Sequence, residues 1–302
     1  MKSIKTLATH LTMGLLIAGA LIVTGDAAHA APYNFNGGQI NADNSASGVV
    51  TAKYKPKTAG QKVKFQVLYG TGKTYTYNFD LNNVGNTETY PLQCGNGNYT
   101  MTVYEQIEGT RYTTAGKTTK NITYSNANAP FLASTQYVKF DSASAVAKKA
   151  KEIVTKAKAK TDIAKLNAIY TFIVNNFKYD TAKAQNTKAL VGYVPNLNTI
   201  LNTKKGICFD YASMLAAMLR SQGIPAKLVF GDVPVGKGKA PVYHAWNEVY
   251  LNGKGWVSLG KIQLNAKTFT RLDPTFASSS KSSKNIVSFI GNGSNYTKKY
   301  YF

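Results

Sequence analysis

Cysteine and histidine are scarce in this 302-residue chain, and their scarcity confines any thiol or imidazole chemistry to a few positions. The thiols are Cys94 and Cys208; of the histidines, His10 and His29 fall within the first thirty residues and leave His244. Gly206-Ile207-Cys208-Phe209-Asp210-Tyr211 reads as the opening of a helix. Asp210 sits in its first turn, Leu215 and Leu219 follow Cys208 on roughly one face, and Gly223 and Pro225 stop it. A thiol at a helix N-terminus meets unsatisfied backbone N–H groups and the positive end of the macrodipole, which favour the nucleophilic thiolate. The same N–H groups, Cys208's own included, can hold a developing oxyanion. Such a nucleophile needs a base, and His244 is the one imidazole outside residues 1–30. The plain alternatives are a Cys94–Cys208 disulfide and an ordinary strand histidine.

The elements that must position these groups are legible around them. Ala226-Lys227-Leu228-Val229-Phe230-Gly231 reads as a strand after the Cys208 helix, and His244 to Leu251 as a second. Alternation puts His244, Trp246, Glu248 and Tyr250 on one face of that second strand. Asn252-Gly253-Lys254-Gly255 turns the chain into Trp256-Val257-Ser258-Leu259, an antiparallel hairpin. Upstream, Asp141 or Ser142 can cap a helix to about Lys160, and Asp162 another from Ile163 to about Phe177, with Leu166, Ile169, Tyr170, Ile173 and Val174 on its packed face. Earlier still, from Tyr33 to about Asn128, short alternating runs such as residues 62–69 and 99–104 are separated by Gly- and Asn-rich turns. That pattern predicts an all-β, seven-strand immunoglobulin- or fibronectin-like sandwich. Cys94, in a turn-rich segment, reads as a loop thiol without catalytic role, and Ser125 to Pro130 as the linker.

Composition narrows the setting. Lys2 and Lys5, the apolar run Met13 to Val23 and Ala28-His29-Ala30 predict a secretory signal peptide over residues 1–30, followed by a β-sandwich over 31–128 and a second domain over 129–302. No cysteine near the cleavage point offers a lipid site and residues 298–302 offer no apolar anchor, so a secreted protein is expected. Without residues 1–30 the chain keeps 34 basic and 13 acidic residues, a net charge of +21. That charge favours retention at the cell envelope through an anionic wall polymer or membrane surface. Nucleic acid is not expected as a partner, since the lysines scatter over both halves and form no arginine-rich stripe. No cofactor is expected, and a zinc site is nearly excluded by the shortage of Cys and His ligands. Few acidic residues and no calcium-loop spacing argue against a metal requirement.

Four blocks in order then resemble the transglutaminase-like superfamily: residues 204–212 around Cys208, Leu219 to Ala226, His244 to Val249, and Leu272-Asp273-Pro274-Thr275. The likeness covers about residues 165–277. It implies an α+β, papain-like helix-plus-antiparallel-sheet domain after the immunoglobulin-like sandwich. It also implies a catalytic set in which Cys208 is the nucleophile, His244 its base and Asp273 the acid that orients the histidine. The family acid usually follows the hairpin strand directly, which here falls at Gly260; the expected Asp-Pro-Thr comes thirteen residues later, after an inserted excursion from Lys261 to about Lys267 and a returning strand, Thr268 to Leu272. Glu248 or Asp232 would be considered were Asp273 out of reach of His244. The implied activity is cleavage or transfer of amide acyl groups on a protein or peptide substrate through a thioacyl intermediate. A non-catalytic envelope-binding protein on the same scaffold is the alternative.

Overall fold

Strand alternation between Tyr33 and Ile122 produces two sheets. The computed structural model describes residues 31–79, 85–234, 240–257, 262–265, 268–270, 273–275 and 296–302; the expected signal peptide and Gly260 lie outside them. Strands β1 (Tyr33–Phe35), β2 (Gly38–Asn41), β3 (Val49–Tyr54) and β6 (Glu88–Pro91) form one antiparallel sheet in the order β1-β2-β3-β6. Strands β4 (Val63–Tyr69), β5 (Lys73–Asn78), β7 (Gly97–Glu108) and β8 (Arg111–Ile122) form a second in the order β5-β4-β7-β8. The inward residues of both, among them Val50, Ala52 and Tyr54 facing Phe65, Val67 and Met101, share one core, with Phe65 stacked on Tyr90 at 4.4 Å. Eight strands are described where the turn spacing predicts seven. The addition is β1, a three-residue edge folded onto β2 through Gly37 at φ 80°.

After the sandwich, Ala129–Phe131 makes a buried 3-10 turn, with Pro130 packed against Gly48. Helix α1 (Ala145–Lys156) starts at Ser144, whose hydroxyl accepts from Ala147 N–H. Helix α2 (Asp162–Asn176) is capped by Thr161 and buries Leu166, Ile169, Tyr170 and Ile173. A short parallel pair, β9 (Lys178–Tyr179) with β10 (Lys205–Gly206), brackets α3 (Thr181–Gln185) and α4 (Leu197–Thr203). Helix α5 (Cys208–Arg220) is buried along its whole length from Asp210 onward. It packs between α1, α2 and α4 on one side and an antiparallel sheet on the other.

That sheet runs β13-β12-β11-β16, built from β11 (Ala226–Val233), β12 (Val242–Leu251), β13 (Gly255–Val257) and β16 (Thr297–Tyr301). The excursion between β13 and Asp273 contains β14 (Ile262–Asn265) and β15 (Thr268–Thr270), paired with each other as a separate two-stranded sheet. Buried Arg220, at the end of α5, donates to the carbonyls of Ala133, Ala226 and Phe302 and so ties helix, sheet and the segment before α1 together. Phe302 packs edge-on against Tyr75, Tyr77 and Tyr137, so the β5 sheet and the helical half share an aromatic core. Residues 31–302 cluster as one unit.

Candidate active site

Cys208 is the first residue of α5, half-buried, with its thiol free; Cys94 is free as well, so the two form no disulfide. A local clamp fixes the helix start that carries this thiol. Asp210 accepts from the backbone N–H of Ile207 at 2.8 Å, from Lys183 Nζ at 2.6 Å and from the Tyr193 hydroxyl at 2.6 Å, and its side chain is fully buried. The carboxylate satisfies an N–H at the helix start and anchors the segment bearing Lys183 and Tyr193. Gly206 is glycine for this reason: a Cβ there would stand 2.6 Å from Asp210 Cβ. The N–H groups of the first turn have no partner within the helix and remain available to an oxyanion.

His244 lies in β12 opposite Gly231 of β11. Its Nε2 is 2.7 Å from Asp273 Oδ2, and both side chains are buried, Asp273 completely. With Nε2 committed to the carboxylate, Nδ1 is the nitrogen that can serve the Cys208 thiol. Burial opposes the imidazolium, but the Asp273 charge and hydrogen bond, joined by the hydrogen bond with Cys208, outweigh it and push His244 up to about 10. At neutral pH the imidazole is therefore held as imidazolium beside the thiol. Trp246 stacks over it at 6.4 Å and 18°. Asn247, one residue on and pointing to the other face, donates to Ala212 O of α5 at 2.9 Å and Lys227 O of β11 at 3.1 Å, which fixes the helix bearing Cys208 against the strand bearing His244.

Asp273 lies within hydrogen-bond reach of His244 although thirteen residues separate it from position 260. Two side chains that sequence reading missed hold it: the Tyr296 hydroxyl donates to Oδ2 at 3.2 Å, and the Tyr170 hydroxyl to the Asp273 carbonyl at 3.2 Å. Neither tyrosine carries a motif signal, because each reaches the acid from a distant segment. The two substitute acids are engaged elsewhere, Glu248 with Lys227 and Lys298, Asp232 with Lys299. Asp210, Lys183 and Tyr193 form a further set the sequence did not bring together, apart from placing Asp210 in the first turn of α5.

Cys94 sits apart from this set, with its backbone N–H bonded to the Tyr99 hydroxyl. Burial pushes its thiol up, against the lowering influence of Lys73 and Tyr75. Among the described residues no group of three His, Cys, Asp or Glu gathers to hold a metal ion, and no helix is long and apolar enough to cross a membrane. Cys208 and His244 open onto a cavity of about 550 Å³.

This arrangement has relatives. The family model described as the transglutaminase-like superfamily matches residues 147–260, which include Cys208 and His244 and stop short of Asp273. An uncharacterized protein, YebA, of Bacillus subtilis strain 168 is 31% identical over 107 residues, covering 31% of this chain and 14% of the relative. The kyphoscoliosis peptidase of Homo sapiens is 33% identical over 102 residues, covering 32% of this chain and 15% of the relative. The chain thus spans about a seventh of the length of these curated relatives. A crystal structure of a candidate cysteine protease from Cytophaga hutchinsonii aligns with a TM-score of 0.35 and 13% identity, over 77% of this chain and 81% of that one. The matched segment thus spans the Cys208 helix and the His244 strand, and over residues 147–260 this chain is similar to the transglutaminase-like superfamily.

Proposed function

We propose that the chain is a thiol enzyme that cleaves or transfers amide acyl groups, with Cys208 as nucleophile, His244 as proton carrier and Asp273 as the acid that orients and charges His244. The observation that carries this reading is the buried His244–Asp273 pair at 2.7 Å beside a thiol at a helix N-terminus. The thiolate attacks an amide carbonyl, and the new oxyanion accepts from the free N–H groups at the start of α5. The C–N bond breaks as His244 gives its proton to the departing amine, leaving a thioester on Cys208. Water or a second amine, deprotonated by His244, then attacks the thioester carbonyl and releases the thiolate. Asp273 holds the imidazole in the tautomer and orientation both steps need. With an amine as acceptor the product is a crosslinked or modified protein; with water it is a hydrolysed peptide or a deamidated side chain.

Cys208→Ala, assayed for ammonia release from glutamine peptides with and without an added amine and for peptide hydrolysis, tests the assignment. Loss of all three activities is expected. Activity unchanged by the substitution ends the Cys208 reading. Iodoacetamide near neutral pH should label Cys208 much faster than Cys94, and equal, slow labelling would point to the non-catalytic binding protein instead.

A further inference from the structure

The cavity beside Cys208 has two properties that the catalytic set does not require. Among the described residues lining it there is no lysine, arginine, aspartate or glutamate, in a chain with 36 basic and 14 acidic residues. Its walls are instead aromatic, and two of them, Tyr243 at 57% and Tyr300 at 44% exposure, stand open to a ligand, while Phe230 and Phe302 line it from the core. The second property is its opposite wall. Thr74, Tyr75, Thr76 and Asn78 of β5 line the same cavity, so the N-terminal sandwich contributes to the cleft directly.

Successive side chains of a strand point to opposite faces, so a cavity touching residues 74, 75 and 76 in a row meets β5 along its edge and not across one face. Strand β5 ends the order β5-β4-β7-β8 and has no strand neighbour on its outer side among the described residues; at its end the Asn78 carbonyl accepts from Gln136 Nε2, which leaves the stretch around Thr74 and Thr76 as the open edge. An edge of this kind offers main-chain N–H and C=O groups to an added extended segment. At the far end, Gly192 comes up to Asn78, so that the segment bearing Tyr193 closes the cleft from the side of the Asp210 clamp.

We propose that the acyl donor is an extended, uncharged peptide segment that pairs with the open edge of β5 and places an aromatic or large aliphatic side chain in the tyrosine- and phenylalanine-lined cavity next to Cys208. This rests on the reading of Cys208 as the nucleophile. It gives the N-terminal sandwich a part in choosing the substrate, and it sets the acyl-donor site, whose described lining holds no Lys, Arg, Asp or Glu, apart from the strongly basic character of the chain as a whole.

Binding to the full chain carrying Cys208→Ala tests this without turnover. The probes are fluorescein-labelled hexapeptides Ala-Ala-Ala-Gln-Ala-Ala, with Phe, Leu, Glu or Lys scanned through each Ala position and read by fluorescence anisotropy. Phe or Leu at one position should bind about tenfold tighter than Ala there, as burial of one large apolar side chain allows, with Glu and Lys weaker than Ala. Thr74→Glu and Thr76→Glu, two exposed positions checked for an unchanged thermal melt, should each weaken the preferred peptide about fivefold or more and make the Lys peptides bind more tightly than the Glu peptides. N-methylation of the peptide backbone should weaken binding at alternate positions only, the period of strand pairing. A flat panel, no measurable binding, a preference for Glu or Lys in the parent protein, or indifference to both threonine substitutions overturns the proposal. Slow iodoacetamide labelling of Cys208 in the unsubstituted chain overturns the catalytic reading instead, and the binding panel does not depend on it.

Discussion

Replacing Asp273 by Asn keeps the shape of the side chain and removes its charge, which isolates what the carboxylate does for His244. In the unsubstituted chain His244 is pushed up to about 10 from an ordinary 6.5, with burial acting in the opposite direction and Asp273 the leading cause of the rise. Without that charge burial is opposed only by the contacts with Cys208, and the imidazole should titrate well below its value in the parent. Folded stability should follow the same pair. A pKa raised on folding gives stability that is fully present below the unfolded value of 6.5 and is lost as pH climbs through about 10. Breaking a buried charged pair by removing one partner costs about 3–5 kcal/mol. Asp273→Asn should therefore be less stable than the parent by roughly that amount at pH 6, and by much less at pH 10.5, where the parent has lost the imidazolium. Two measurements read this directly: the 13Cε1 shift of His244 against pH, assigned by difference with His244→Asn, and urea unfolding at the two pH values. Turnover of an acyl donor should fall by about 100- to 10,000-fold, in line with a lost tautomer and a lost proton. A titration of His244 that moves by less than half a pH unit on Asp273→Asn, or a stability gap that does not shrink with rising pH, would refute the assignment of that charge to Asp273.

Other positions test how the set is held. Asp210→Asn should loosen the start of α5 by releasing Lys183 and weakening the Ile207 cap, at a cost of about 2–4 kcal/mol in chemical unfolding, and should slow iodoacetamide labelling of Cys208 more than that of Cys94. Asn247→Leu removes the two side-chain hydrogen bonds by which β12 reaches Ala212 of α5 and Lys227 of β11; about 1–3 kcal/mol of stability should go, with a larger proportional loss in turnover than in substrate binding, measured as kcat against KM. Gly231→Ala drives a Cβ to 2.0 Å from Thr297 O and 2.8 Å from Trp246, so β16 must move away from β11. Its melting temperature should fall by several degrees, as expected of an overpacking cost of about 1–3 kcal/mol.

Local chemistry made much of this domain readable from sequence. The Cys208 helix start is announced by Gly206, Asp210 and the apolar spacing that follows, and the structure adds why Gly206 must lack a Cβ. The β11–β12–β13 hairpins follow from alternation and from Asn252-Gly253, where Gly253 takes φ 76°. The capping residues of α1 and α2 were misplaced by one to three positions, because Asp141, Ser142 and Ser144 are all competent caps and packing of Val146 and Ala150 selects Ser144. What escaped were contacts between segments far apart in the chain. Lys183 with Asp210, and Tyr296 with Asp273, depend on loops whose approach no periodicity encodes. The part that β5 takes in the Cys208 cavity escaped for the same reason: strand spacing predicts a sandwich, and it carries no information about which edge meets the helical half.

The displaced acid follows the same logic. A carboxylate delivered by its own strand would be tied to the register of that strand, and an insertion after β13 would carry it away from the imidazole. Asp273 is positioned differently: its carbonyl is held by Tyr170 from α2, and its carboxylate is held by Tyr296, which lies just before β16 and packs at 5.1 Å on Trp246 from the His244 strand. The acid is thus fixed by the packed core around His244 more than by the segment that leads to it. Between β13 and Asp273 the chain can spend residues on the separate β14–β15 pair without moving the carboxylate. Tyr296→Phe, which keeps the ring on Trp246 and removes the hydroxyl, divides the two contributions. If packing holds the acid, His244 should keep its raised titration and the variant should lose about 1 kcal/mol, the net worth of one hydrogen bond. If the hydroxyl holds it, His244 in Tyr296→Phe should titrate as it does in Asp273→Asn, and packing alone does not fix the acid.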